Sequence, residues 1–484
     1  MLEGMKTSTK RTILAANKKL RQLTSHVHSG AMGALVVVAV FGVVGAWLLT
    51  SSRAATPTVS IEAENGASTP CAVDQPDTSA SKGSAIKFTN CGGFTHPGIL
   101  LGTAQLNFTK SKIGTAPWNT AYTKMSGSHF ASLSHTPDPA AVLSRNATSA
   151  SGAVSLNALQ DDDIAAYTDA LMWYYTGNAA YADKAIAIMN AWSSTLTSVD
   201  SSTGQLDAAW ASEMFPRAAE IIRYTYTPAA GHPAFNVTAF SNMLTNILLP
   251  QLDKTTNGYT YSNGNWGLSF AEGTMNIGIF TDNRAVFNTG VQMWRERVPA
   301  YVYETSDGAL PNYPPGGKYT TTAQLQCFWD GAGTVVNSCG FPSNFPWANG
   351  LVQETCRDIS HVTFGLEAMV DGAETARLQG VDLYGEQQQR IVSAFEFTSK
   401  YDLQLIANAA SGATSGPVAD SICGTGTLNF GGTGYTLGFE EAYNAYATRK
   451  GVAMPYTLQM VNKLRPTPAA LHMAWESLTF PGAP

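Results

Sequence analysis

Charge is scarce in this sequence. Asp, Glu, Lys and Arg together make up 13% of its 484 residues, and there are only eight histidines. With a formal charge of −6, the chain lacks the cationic surface that phosphate backbones demand, so nucleic acid is excluded as a partner. Cysteines number six, and no Cys-x-x-Cys spacing occurs among them, which removes the common zinc-ligand sets. A composition typical of disorder is also missing: 44% of residues are hydrophobic, enough for a large core. Beyond residue 96 strand-like alternation is absent, which points away from a sheet-based fold for most of the chain.

The basic side chains that are present are unevenly placed. Lys6, Lys10, Arg11, Lys18, Lys19 and Arg21 precede residue 30 against one acid, Glu3. A charge-free run follows at residues 31–50 (AMGALVVVAVFGVVGAWLLT), long enough to cross a bilayer. The positive flank predicts a cytoplasmic tail at 1–30, a membrane-spanning helix at 31–50, and everything after Arg53 outside the cytoplasm. Cleavage near residues 54–57 is the alternative, giving a signal segment and a secreted product. Outside, thiols oxidise. The even set of cysteines suggests disulfides, with local pairs Cys71–Cys91 and Cys327–Cys339 and the remaining pair Cys356–Cys423.

Residues 56–93 form a short β-rich segment in which residues 59–66 (VSIEAENG) and 79–88 (SASKGSAIKF) alternate between Gly/Ser/Pro turns. These phrases resemble the opening strands of β-sandwich carbohydrate-binding modules. The segment is too short for a complete sandwich, so a stalk or a strand pair is expected.

From residue 96 to about 480 the period changes to that of helices. Residues 161–175, 181–196, 208–226, 235–249, 267–280 and 284–298 each carry it, separated by turns such as Gly177-Asn178. The longest patterned stretch is 354–386, where Phe364, Leu366, Met369, Val370, Ala373, Ala376 and Leu378 mark one apolar face. At its head, Glu354, Arg357 and His361 fall at i, i+3 and i+7 and share a stripe. That stripe reads either as a salt-bridge cluster with a satisfied histidine or as polar groups held toward a cleft. Successive short helices suggest an all-α chain of helix hairpins. His96, His232 and His472 have no partners at ligand spacing and read as structural. Asp161, Asp162 and Asp163 read as acids favouring a helix N-terminus.

Short phrases in a fixed order carry a family resemblance: residues 96–101 (HPGILL), 117–122 (PWNTAY), 190–196 (NAWSSTL), 215–222 (FPRAAEII), 265–266 (NW), 279–284 (IFTDNR), and the Arg357/His361 helix closing in 380–385 (GVDLYG). Together they are similar to the alginate lyase family across roughly residues 96–480. The resemblance implies an (α/α) toroid that cleaves an anionic, uronate-containing polysaccharide by β-elimination; a monomer that needs no cofactor or metal is the accompanying expectation. It departs from the family at one point: related alginate lyases carry an Asn-His dipeptide where this chain has Asn265-Trp266.

Elimination sets three tasks: neutralise the uronate carboxylate, remove the C5 proton, and return a proton to the leaving oxygen at C4. Asn265 suits the first. It opens a helix whose polar positions Ser269, Glu272 and Asn276 predict that it faces a cleft, the other reading being an N-cap. Trp266 serves as a sugar platform or as core. Arg357 suits bidentate carboxylate binding, and His361 neutralisation or base duty, with Glu354 beside them. Tyr443 is the first nominee for proton transfer, on a helical stretch with Glu440 and Tyr446, and Tyr313 in the 311–317 loop is the alternative; packing is the other reading of Tyr443 and Tyr446. Residues 326–351 read as an insertion that shapes one rim of a groove. A glycoside hydrolase is a rival reading. It requires two carboxylates roughly 5–10 Å apart across a cleft, with Glu272, Glu354 and Glu440 as candidates. A non-catalytic surface protein that binds glycan is the rival of another class.

Overall fold

The computed structural model describes residues 93–200, 204–252, 264–313, 319–329, 337–339, 347–410 and 438–484, plus four short strands at 72–76, 84–88, 415–417 and 427–429. The 1–30 tail, the 31–50 run, and Cys71, Cys91 and Cys423 lie outside the described residues. Among the described residues no helix is long and apolar enough to cross a membrane. Of the two expected strands, 59–66 also lies outside; the other is confined to Ser84–Phe88 and pairs with Ala72–Pro76 in a two-stranded sheet.

The body is mostly helical: α1 (Thr103–Lys112), α2 (Trp118–Ser126), α3 (Ser155–Thr176), α4 (Ala179–Thr195), α5 (Gly204–Thr225), α6 (Val237–Met243), α7 (Gly264–Phe280), α8 (Arg284–Tyr301), α9 (Thr322–Trp329), α10 (Ile359–Leu378), α11 (Leu383–Glu386), α12 (Gln388–Ala410), α13 (Phe439–Tyr443), α14 (Pro455–Leu464) and α15 (Glu476–Thr479). Extended structure between the described helices is limited to short pieces, such as Gly98–Ile99 with Leu101–Gly102. The hairpin turns have chemical causes. Asn178 caps α4 by accepting from the Ala180 amide, and Asn283 caps α8 by accepting from the Ala285 and Val286 amides.

Two classes of helix result from the distribution of apolar residues. α4 and α8 bury one side, whereas α5, α7 and α10 are buried nearly all round, the pattern of helices inside a core. α7 packs against α5, α8 and α10, and every residue of it except Trp266 is buried. Its approach to α8 is close enough to require glycine: a Cβ on Gly278 would meet the Phe287 amide nitrogen at 2.3 Å, and one on Gly290 would meet the Ala271 carbonyl at 2.7 Å. Each fully buried Leu, Ile, Phe or Met here contributes roughly 1.5–3 kcal/mol, which offsets the polar side chains enclosed between the inner helices.

Two expectations change. α3 begins at Ser155, so Asp161–Asp163 lie in its second and third turns, not before it. Asp162 is buried and accepts from the Trp192 indole (2.6 Å) and the Asp138 amide (2.8 Å), with His135 Nε2 also 2.6 Å away. The apolar pattern at 235–249 becomes α6, then a π turn at Leu244–Leu248 and a 3-10 turn at Leu249–Leu252. The insertion packs with its flanks in a second, smaller core, Phe328, Trp329 and Leu351 against Tyr303, Tyr319 and Leu325, and the expected Cys327–Cys339 disulfide is formed. Cys356 is also disulfide-bonded.

Candidate active site

The head of α10 is set by Asp358, whose carboxylate accepts from the His361 amide at 2.9 Å as the N-cap. Glu354 and Arg357 therefore precede the helix, and the expected helical stripe is a turn. Glu354 has a left-handed backbone (φ +66°) and its amide donates to the Trp329 carbonyl at 2.8 Å. That turn still gathers the expected residues. The buried Glu354 carboxylate accepts from the Asn265 amide (3.2 Å) and the Asn265 side-chain amide (3.1 Å) through Oε2, and from Arg357 Nη1 through Oε1. Gly264 makes room for it: with φ +51°, a Cβ there would lie 1.6 Å from Glu354 Oε2. Gln353 fastens the same corner, its Oε1 accepting from the Gly264 amide (2.6 Å) and Arg297 Nη2 (2.7 Å) while its side-chain amide donates to the Ala300 carbonyl (2.9 Å).

Toward solvent the chain of contacts continues. Arg357 Nε is 3.8 Å from Asp358 Oδ2, and His361 Nδ1 is 2.7 Å from both Asp358 oxygens. The Arg357 and His361 side chains are 40% and 30% exposed, against 1% for Glu354, so a buried acid supports an accessible cation and imidazole. Burial would raise Asp358, but the hydrogen bonds from His361 and the charge of Arg357 hold its carboxyl below the usual range. Trp266, beside Asn265, is half-buried and meets Phe270 edge-on.

Several expected site residues are placed elsewhere. Asn265 is fully buried and serves Glu354, because the polar stripe of α7 (Ser269, Glu272, Asn276) faces the interior and not a cleft. Tyr446 is core: its hydroxyl donates to the Tyr384 carbonyl at 2.9 Å. Glu440 is buried and paired with Arg465, Nε to Oε2 at 2.7 Å, and Tyr443 is half-buried near that arginine. Tyr313 is exposed and stacks on Tyr319 at 5.9 Å. Neither Tyr443 nor Tyr313 bonds to Glu354, Arg357 or His361. Glu272, Glu354 and Glu440 are all buried with guanidinium partners, so they do not make the open carboxyl pair of a hydrolase.

Beneath the site lies a polar interior that residue spacing does not reveal. His361 meets Phe364 edge-on at 5.8 Å, Phe364 meets His472 at 5.8 Å, and His472 stacks on Trp210 at 5.6 Å. The His472 carbonyl accepts from Arg217 Nη1 at 3.0 Å, and Arg217 Nη2 donates to Glu272 and Asp371. Glu213, Glu367, Glu441 and Glu476 are also buried. Burial and neighbouring acids push Glu213, Glu367 and Glu441 well up. Burial raises Glu272 and Glu476 to about 8. His472 is pushed down to about 3 by burial and the Arg217 charge, and stays neutral. The other two histidines read as structural have carboxylate partners: His96 meets Glu220 at 2.8 Å, and His232 meets Asp183 at 2.6 Å.

These raised carboxyls fix the sign of a pH effect. They stay protonated in the fold while the unfolded chain ionises above its ordinary carboxylate range, so their contribution is complete at low pH and is lost as pH rises through the folded values. From pH ~6.5 to ~8.5 the neutral His472 adds no opposing slope. Thermal unfolding is therefore expected to move to lower temperature across that window. A midpoint that is flat or rises would contradict the protonated interior.

Residues 114–313 match the alginate lyase family model. The match includes the phrases at 117–122, 190–196, 215–222, 265–266 and 279–284, whereas Arg357 and His361 lie beyond it. An alginate lyase from Bacteroides ovatus has a similar structure, with TM-score 0.50 and 14% identity over 80% of this chain and 99% of that one; at such identity the likeness concerns the fold alone. Alginate lyase A1-III from Sphingomonas species A1 gives 0.44 at 14% identity over 72% and 88% of the two chains. A variant of A1-III complexed with tetrasaccharide gives 0.49 at 13% over 78% and 93%. No curated protein sequence matches the chain.

Proposed function

We propose that the chain, a polysaccharide lyase whose residues 114–313 match the alginate lyase family model, cleaves a uronate-containing polysaccharide by β-elimination at the Arg357/His361 cluster. The observation that carries this reading is the pairing of an accessible guanidinium and imidazole over a buried carboxylate that fixes the first of them. The outer side of the Arg357 guanidinium, turned away from Glu354, is the surface for a uronate carboxylate. Asn265 acts through Glu354, holding the acid that orients Arg357, and Trp266 offers a partly open ring face for the C–H side of a sugar. The helix hairpins around α5, α7 and α10 are read as an (α/α) toroid. The tail charges and the 31–50 run support a membrane-anchored enzyme acting outside the cytoplasm, and the Cys327–Cys339 disulfide agrees with an oxidising compartment.

An ultraviolet assay on alginate, polyglucuronate and glycosaminoglycans tests the reaction, since elimination alone leaves an unsaturated, absorbing uronate. New reducing ends without absorbance would show a hydrolase, and binding with neither would show a glycan-binding protein. For Arg357→Gln, kcat/KM is expected to fall roughly 10- to 100-fold, the worth of one charge-assisted hydrogen bond. Circular dichroism should not change, because the side chain is exposed. An unaltered rate would remove Arg357 from the site.

A further inference from the structure

If the cluster is a lyase site, it still needs a group to take the C5 proton, and the nominated tyrosines do not supply one. Tyr443 and Tyr313 make no hydrogen bond to it, Tyr446 is buried, and the fully buried Tyr301 donates its hydroxyl to the Val362 carbonyl at 3.0 Å. We propose that His361 is the proton acceptor and that Asp358 is its positioning residue, the two forming an acid/base dyad at the head of α10. The proposal rests on the lyase reading and assigns within it a step that the reading leaves open.

The geometry fixes the tautomer. Both Asp358 oxygens lie 2.7 Å from His361 Nδ1, and an ionised carboxylate only accepts hydrogen bonds, so Nδ1 carries the hydrogen. The lone pair of the neutral ring is then at Nε2, which has no hydrogen-bond partner among the described residues, on a side chain 30% exposed. Asp358 is itself restrained, since one oxygen also accepts the His361 amide at 2.9 Å and Arg357 Nε lies 3.8 Å from the other. Cap and orienting acid are thus the same residue, and the ring is held from its own helix turn. The Phe364 edge supports the ring from below.

The step balances without a co-reactant. Nε2 takes the C5 proton, the C5–H electron pair becomes the C4–C5 π bond, and the C4–O4 bond breaks with its pair going to oxygen. The Nε2–H of the imidazolium then protonates that oxygen, which restores neutral His361. Arg357, adjacent to the dyad, holds the uronate carboxylate that makes the C5 proton acidic.

Asp358→Asn separates the positioning role from the cap, because asparagine caps as well as aspartate. The expected result is a fall in kcat of at least roughly 100-fold with KM within about threefold, since an amide no longer enforces the tautomer. His361→Gln should lose elimination activity while circular dichroism is unchanged. Nitrogen-15 NMR of the wild type should show Nδ1–H and a bare Nε2, and in Asp358→Asn a mixture of tautomers. Wild-type elimination activity that survives in Asp358→Asn and His361→Gln overturns the dyad while leaving the lyase reading intact, as does an Nε2–H tautomer in the wild type. Absence of cleavage on every polyuronate overturns the lyase reading, and the catalytic dyad with it.

Discussion

Arg217→Met is expected to destabilise the protein by about 3–5 kcal/mol, the cost of removing one partner from a buried charged network. Arg217 is 1% exposed, donates to Glu272, Asp371 and the His472 carbonyl, and is enclosed with further acids from α5, α10, α13 and α15. Methionine matches much of its volume but satisfies none of those oxygens. The acids can respond only by taking more protons, so the deficit should grow as pH rises and shrink toward pH ~5. Chemical denaturation of both proteins at several pH values measures this. A deficit below about 1 kcal/mol at pH ~8 would mean that the network is held by its own shared protons and not by the guanidinium.

Gly264→Ala is expected to lower kcat/KM by at least roughly 100-fold, the penalty of displacing an oriented group by about an ångström. The methyl would occupy the place of Glu354 Oε2, 1.6 Å from it, at a backbone angle that L residues avoid. Glu354 would have to withdraw, releasing both the Asn265 amide and Arg357, so a change of one carbon at the start of α7 reaches the guanidinium at the surface. Far-ultraviolet spectra with steady-state rates check this. Activity within about threefold of wild type, with the helical signal intact, would show that Arg357 does not depend on Glu354 for its orientation.

The helices are legible in the sequence because their apolar faces repeat locally. α7, α8 and α10 begin or end within a few residues of the pattern. The site is legible in part for the same reason: Arg357 and His361 stand at the head of a strongly periodic helix. Periodicity passes over Asp358, although an aspartate three residues before His361 is a cap signal. It also sets Glu354 on the helical stripe, because period alone does not reveal a left-handed residue ahead of the cap. Direction is the larger loss. Ser269, Glu272 and Asn276 do share one face of α7, but that face looks inward. What it meets is Arg217 from another helix, 55 residues from Glu272 in sequence and 154 from the Asp371 it also binds. Likewise Tyr446 and Tyr443 have the spacing of either core or site. Only the Tyr384 carbonyl and Arg465, neither adjacent in sequence, decide between them.

Glu354 is held through main-chain atoms from two sides: its amide on the Trp329 carbonyl of the insertion, and the preceding Gln353 amide on the Tyr301 carbonyl at the end of α8, at 2.9 Å. Such a mount is sensitive above all to the count of residues in the bracing segments. Gly350, with φ +82° and no room for a Cβ beside the Ser393 carbonyl, and the buried Leu351 and Val352 fix the path of the chain, so the deletion of a single residue along 347–352 shifts the register, turns Glu354 away from Gly264, and uncouples the two halves of the site at a stroke.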